Sequence, residues 1–309
     1  MKRARAIALA TSSAAAFGFP AIVRAQTSTL RIGASTAATQ AEGYFADQLG
    51  FFKQAGITAT ITTTGRGAET LEAVVRGDLD LASTTPEGVA NAVIHNIPLR
   101  IVATGAIYVE PPAVGLFVVK GSPLKRPADF VNATVGVNSL NDSQSLGLWQ
   151  WMADNHVDPS SVKIIEIPFA SMAASLKRKD ITAGCLVEPF MTAAKDDVQI
   201  VPGVYASLGR HWALGSWYAH ADFIAKNPAI VKAAVAALYA TGKHVNANQA
   251  VVEPLLVTYT KLPLETLHAI VKPVWAERAE RSNVEPQLAS AARFKVISRP
   301  VTYDEVVLG

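Results

Sequence analysis

Five short polar stretches carry the residues able to hold a small molecule. They are Ser35-Thr36-Ala37-Ala38-Thr39-Gln40, Gly65-Arg66-Gly67, Ser83-Thr84-Thr85, Asn138-Ser139-Leu140-Asn141-Asp142-Ser143 and Glu188-Pro189. Each falls where a short apolar run gives way to a helical pattern. Helix starts at such points offer unpaired backbone N–H groups and a partial positive charge of about 0.5 e. Ser, Thr, Asn and Asp are also good caps and turn formers, which explains one or two such loops. Five at equivalent ends of two similar units favour a shared cleft. Arg66 is the only basic residue among them; its guanidinium suits a carboxylate or sulfonate, or is solvated. Asp142 and Glu188 either bond an amine or ring N–H or cap helices. Tyr108, Trp212, Trp217 and Tyr218 lie near the two places where the chain is expected to cross between units, and aromatic faces there can line a cleft.

Other chemistries find little support. The six histidines, at 95, 156, 211, 220, 244 and 268, are never three to five residues apart, and no Cys–His pair has ligand spacing. Neither a G-x-S-x-G elbow nor an S-x-x-K motif is present, and Gly65-Arg66-Gly67 is too short for a phosphate-cradling loop. Cys185 sits inside an apolar run and reads as a buried small hydrophobe. As the single cysteine it excludes an intramolecular disulfide.

The elements that position these loops follow from periodicity. Leu30–Gly33, Ile57–Thr63, Asp80–Ser83, Leu99–Ile107 and Ala113–Val119 read as strands. Helices are expected over Ala41–Gln54, Ala68–Arg76 and Glu87–His95. The pattern then restarts, with strands Thr134–Val137, Val162–Ile167, Ala183–Val187 and Gln199–Val201. Helices Leu146–Asn155 and Ser171–Lys179 and a short one at Thr192–Asp196 lie between them. Alternation over short connections implies mainly parallel sheets with helices on their faces. After Trp217 the pattern turns helical: Pro228–Asn246, Ala250–Tyr259 and Pro263–Trp275. This tail is expected to pack back onto the first unit. Pro111-Pro112 and Leu214–Tyr218 would then be the crossovers and the hinge. Glu188 is placed as the jaw of the second unit, facing Ser83–Thr85.

The first 25 residues read as an export signal. Lys2, Arg3 and Arg5 precede an apolar stretch, and Val23-Arg24-Ala25 suits cleavage before Gln26. The stretch is shorter than the roughly 20 residues of a span. Of the 28 basic residues of the chain, 4 lie in this leader, so 24 face 25 acids afterwards, a net charge of −1. That balance removes the electrostatic footprint of a nucleic-acid binder.

Several stretches together resemble the periplasmic solute-binding proteins of nitrate, sulfonate and taurine ABC importers, which include binders of thiamine precursors. They are Gly43-Tyr44-Phe45, Gly50-Phe51-Phe52 and Ala55-Gly56-Ile57, then Arg76-Gly77-Asp78-Leu79-Asp80-Leu81-Ala82, Asp180 through Glu188-Pro189, and Ala225-Lys226-Asn227-Pro228. The similarity runs over nearly all of the chain after the leader. It implies an α/β, two-lobed periplasmic binding protein fold of type II, each lobe a mainly parallel sheet flanked by helices. Lobe 1 would be 26–112 with 218–309 and lobe 2 would be 113–217. It also implies ligand contacts at Ser35–Gln40, Ser83–Thr85, Ser139–Ser143 and Glu188. The first-strand loop departs from the family by lacking an aromatic residue or histidine.

The enzymes of this family use a cysteine-rich motif with a histidine, or a cysteine in the first-strand loop; neither is present. The expectation is therefore a monomeric binding protein, not an enzyme, free of cofactor and metal. It would deliver a sulfonate or carboxylate, with an aromatic body or in the alternative a nitrogen heterocycle, to a permease with its ATPase. An exported enzyme or a ligand-presenting sensor module are the alternatives. The expected contacts are Ser35, Thr36, Gln40, Arg66, Ser83, Thr84, Thr85, Ser139, Asn141, Asp142, Ser143 and Glu188, with Tyr108 and Trp217 flanking the ligand.

Overall fold

A computed structural model describes residues 28–64 and 66–309. The expected leader, its cleavage point before Gln26, and Gly65 lie outside the described residues.

The chain first runs through β1 (Ser28–Ser35), α1 (Glu42–Gln48), α2 (Phe51–Gln54), β2 (Ile57–Thr64), α3 (Gly67–Arg76), β3 (Leu81–Thr84), α4 (Pro86–Ile94), β4 (Leu99–Thr104) and β5 (Ala106–Ile107). The single helix expected over Ala41–Gln54 is two. Gly50 between them takes φ +80°, a left-handed conformation that ends one helix and starts the next.

A second run holds β6 (Val114–Val119), β7 (Thr134–Val137), α5 (Ser143–Asp154), β8 (Lys163–Glu166), α6 (Phe169–Lys177), β9 (Ala183–Val187), α7 (Phe190–Ala193) and β10 (Val198–Val201). The rest comprises β11 (Ser216–His220), α8 (Ala221–Lys226), α9 (Pro228–Ala247), α10 (Glu253–Thr260), α11 (Leu264–His268), β12 (Val274–Trp275), α12 (Glu285–Arg293) and α13 (Tyr303–Val306).

Two five-stranded sheets result, ordered β2-β1-β3-β11-β4 and β10-β6-β9-β7-β8. Each contains four strands in one direction and one against them. The reversed strand is β11 in the first sheet and β6 in the second. Both reversed strands come first after a crossover between the units. Composition matches position. The interior strands β6 and β9 are almost wholly buried and continuously apolar, whereas β2, at an edge, alternates.

Two sequence expectations change here. Leu214–Tyr218 is not all crossover: from Ser216 it is β11, inserted between β3 and β4. The helix expected over Pro263–Trp275 runs only through α11. Pro273 cannot donate to a helix and restricts Lys272 before it, and Val274–Trp275 pairs with β5 instead.

Helix α9 buries Val231, Ala234, Leu238, Thr241 and Val245 at helical spacing and packs on α1, α2 and the first sheet. Helix α12 reaches further, lying against both α4 of the first unit and α5 of the second. Close packing continues at Gly147 of α5, where a Cβ would meet Tyr205 Cδ1 at 2.3 Å. Gly147→Ala should therefore lower stability by about 1–3 kcal/mol, despite the roughly 1 kcal/mol of helix propensity it gains. A urea midpoint at or above that of the parent would contradict this packing.

Candidate functional site

The carboxyl ends of β1, β3, β7 and β9 all open onto one cavity of about 240 Å3. Ligands of open α/β sheets bind at such ends because the helices that follow begin there. Ser35, Ala37, Thr39 and Gln40 come from the loop after β1. Gly67, Ala68 and Leu71 come from α3, and Thr84, Thr85, Gly88 and Asn91 from the end of β3 and α4. The second unit contributes Val114, Phe169, Val187 and the whole stretch 138–144. Trp212 and Leu214 come from the return crossover.

The units are tied together around this cavity. Ala38 N–H donates to the Glu188 carbonyl at 2.8 Å. Ser143 Oγ, at the start of α5, donates to Glu87 Oε1 of α4 at 2.6 Å. Gln287 of α12 donates through Nε2 to Ser143 Oγ and to the Ala213 carbonyl, both at 2.8 Å.

Eight of the fourteen expected contacts lie on the wall: Ser35, Gln40, Thr84, Thr85, Ser139, Asn141, Asp142 and Ser143. Six do not. Thr36 is half-buried beside it. Arg66 pairs with Glu69 at 3.1 Å and, across the units, with Glu166 at 3.4 Å. Ser83 is buried beneath the wall, in the strand that pairs with β11. Tyr108 stacks behind Trp212, ring centroids 5.1 Å apart, and its hydroxyl donates to Glu110. Trp217 points into the first unit, donating through Nε1 to Glu42 Oε2 at 2.6 Å.

Glu188 is likewise turned to another use. It is fully buried, and its carboxylate accepts from Val271 N–H at 2.9 Å and from Thr192 Oγ1 at 2.9 Å. Instead of facing Ser83–Thr85 as a jaw, the side chain joins the end of β9 to the segment between α11 and β12.

The wall also holds residues the sequence reading passed over, chiefly Ala68, Asn91, Phe169 and Leu214. Asn91 had a signal: it lies three residues after Gly88, on the same face of α4. Phe169 and Leu214 had none, because an apolar residue next to a loop reads as core.

Among the described wall residues, Asp142 is the only ionisable one. It caps α5, Oδ1 accepting from Gln144 N–H at 3.0 Å and Ser145 N–H at 3.2 Å. Burial, and then the nearby charge of Glu87, push its carboxyl well above the usual carboxylate range. Burial raises Glu87 as well, against the hydrogen bond from Ser143. Cys185 is buried in β9 and off the wall, and burial pushes its thiol up, the opposite of an activated nucleophile. The arrangement can enclose a small molecule between hydroxyls, amides and apolar faces, with one acid at one side.

Residues 38–249, more than half of the chain, match the family model described as NMT1/THI5 like. The taurine-binding periplasmic protein of Escherichia coli (strain K12) is 24% identical over 215 residues, 68% of this chain and 64% of that protein. The chain thus matches less than two thirds of that relative's length. The periplasmic aliphatic sulphonate binding protein SsuA from Escherichia coli has a similar structure. Its TM-score is 0.71 at 18% identity, covering 91% of this chain and 92% of that one. The desulfurization enzyme DSZB is similar too, with TM-score 0.65 at 13% identity over 91% of this chain and 96% of that one. At such identities the likeness is one of fold, and binding proteins and an enzyme share it.

Proposed function

The chain belongs to the NMT1/THI5-like family, and we propose that it is the periplasmic solute-binding protein of an ABC importer. The observation that carries this reading is the cavity itself. It is small, about 240 Å3, and its wall is drawn from strand ends of both sheets. A ligand there touches both units at once, so it stabilises the closed arrangement over an open one. Residues 26–112 with 218–309 and residues 113–217 act as the two lobes, turning about the crossovers. An export leader at residues 1–25 takes the chain to the periplasm. As a monomer it hands the ligand to a permease powered by an ATPase.

The ligand is a small organic molecule with a sulfonate or carboxylate group. Arg66, engaged with Glu69 and Glu166, is not the residue that holds it. The backbone at Gly67 and Ala68, together with the hydroxyls of Ser35, Thr39, Thr84 and Thr85, supplies the donors, and Trp212 and Phe169 supply apolar faces. Binding and release, rather than turnover, fit a wall whose described residues include no histidine or cysteine.

Thermal-shift screening against sulfonates, carboxylates and nitrogen heterocycles tests the reading. A ligand at one hundred times its Kd should add about 2.7 kcal/mol of stability. Ala68→Trp should abolish that shift while leaving the unliganded melting temperature within a few degrees, because an indole cannot share the cavity with a ligand. A full shift retained by the variant would put the binding site elsewhere.

A further inference from the structure

We infer that Glu87 makes closure of the two units a proton-linked step: the closed arrangement holds one proton on Glu87, and opening releases it. This rests on the reading of residues 113–217 as a lobe that turns against the rest of the chain. Glu87 is a positioning residue that acts through Ser143, which is on the cavity wall.

Glu87 belongs to the first unit, and part of its cover comes from the second. It stands in the first turn of α4 and is fully buried. Ser143 Oγ, at the start of α5, donates to its Oε1 at 2.6 Å. Gln287 of α12 lies over both. Its Nε2 is 2.8 Å from Ser143 Oγ, 2.8 Å from the Ala213 carbonyl and 3.4 Å from Glu87 Oε2. The two nearer acceptors take the two hydrogens of that amide, and Gln287 Oε1 is buried without a partner. The network therefore has room for one more hydrogen.

The groups on the elements packed around Glu87 bring it no positive charge. Asp142, at the start of α5, is the acid beside it, and the two charges oppose each other. Cys185 and Tyr205 face Asp142. Arg100 of β4 donates to the carbonyls of Asp304 and Glu305. On α12, Glu285 pairs with Arg281 and Arg293 with Asp154. On α13, Asp304 pairs with Arg281, Glu305 pairs with Arg299, and Tyr303 lies under the Arg281 guanidinium. His95, at the end of α4 itself, bonds the Asn91 carbonyl.

A carboxylate sealed here loses water without gaining a cation. Burial raises its pKa in the closed arrangement, against hydrogen bonds from Ser143, its own N–H and Thr85. Withdrawing α5 readmits water and returns the group towards its ordinary 4.5. Below pH 4.5 both arrangements hold the proton, and closure is indifferent to pH. Above it, up to the raised value, closing takes up a proton. Closure therefore weakens as pH rises, by at most about tenfold per pH unit. Asp142 keeps the N–H groups of Gln144 and Ser145 in either arrangement, because they belong to its own helix. Glu42 lies within the first unit, against Trp217 and Gly242, and opening leaves its surroundings unchanged.

Hydrogen exchange at one amide reads this equilibrium on residues 26–309 with no ligand added. Ala38 N–H donates across the units to the Glu188 carbonyl at 2.8 Å, so it exchanges when they part. Its protection, corrected for the intrinsic exchange rate, should fall by at least about tenfold between pH 5 and pH 8. Glu87→Gln keeps an acceptor for Ser143 and carries no such proton. It should match the parent at pH 5 and hold that protection to pH 8. Ser143→Ala removes a donor that favours the carboxylate. It should lower protection at every pH and carry the fall to higher pH, which decides the matter if Glu87→Gln does not fold. A flat profile in the parent overturns the inference. So does an undiminished fall in Glu87→Gln, which would assign the proton to Asp142. Either result leaves the binding-protein reading, tested by thermal shift, standing.

Discussion

Glu188→Ala is expected to destabilise the folded chain by about 2–4 kcal/mol, with little direct effect on what the cavity recognises. The carboxylate is fully buried and accepts from Val271 N–H, Thr192 N–H and Thr192 Oγ1. Truncation leaves these donors without an acceptor in a buried setting, and each such loss costs about 1–3 kcal/mol. Glu188→Gln keeps one acceptor oxygen and should lose roughly half as much. Because the bond to Val271 joins the end of β9 to the C-terminal segment, loosening it should also weaken closure, lowering ligand affinity a few-fold. Urea unfolding gives the first quantity and calorimetry the second. An unchanged urea midpoint combined with a hundredfold loss of binding would restore Glu188 as a ligand contact.

Glu42→Gln should make the protein more stable at pH 8 and leave it unchanged near pH 4. Glu42, in the first turn of α1, is 1% exposed. Trp217 Nε1 donates to its Oε2, while Oε1 has no partner. Trp217, the Tyr239 phenol and Gly242 face the carboxyl group, and none of them is a cation. Burial, partly offset by the Trp217 bond, pushes its pKa up to about 8 from an ordinary 4.5.

Below pH 4.5 the group is protonated whether the chain is folded or not, so the substitution changes little. Between pH 4.5 and pH 8 the unfolded chain has released a proton that the folded chain still holds. Stability therefore falls as pH rises through that window and levels off above it. At about 1.4 kcal/mol per pH unit the loss reaches about 3–5 kcal/mol. Glutamine keeps the acceptor for Trp217 and carries no such proton. Urea midpoints of the two proteins at pH 4.5, 6.5 and 8 should diverge steadily; parallel curves would mean that Glu42 is ionised in the folded chain.

Both residues show where reading the chain alone stops. Glu188 stood out in the sequence because it ends an apolar run and precedes a proline, which correctly marks a strand end beside the cleft. Its partner lies 83 positions away, in a stretch whose pattern reads as helix. Trp217 stood out as an aromatic residue near a crossover, but the insertion of β11 between β3 and β4 directs it inward to Glu42, 175 positions earlier. Arg66 sat in the right loop with the right charge. It pairs instead with Glu166, 100 positions later, which only the packing of the two units brings within reach.

By itself the sequence determined the order of most strands and helices, the restart of that order after Val119, and the polar loops at strand ends that supply the eight expected contacts found on the wall. These depend on periods of 2 and 3.6 residues and on turn chemistry, which are properties of contiguous chain. Only the tertiary structure decided which polar side chains remain free to face the cavity. A buried carboxylate, indole or guanidinium must find a partner, and that partner is set by how two sheets and a C-terminal tail come together. Asp142 is left as the lone ionisable residue among the described wall positions because Glu188 and Arg66 are engaged elsewhere.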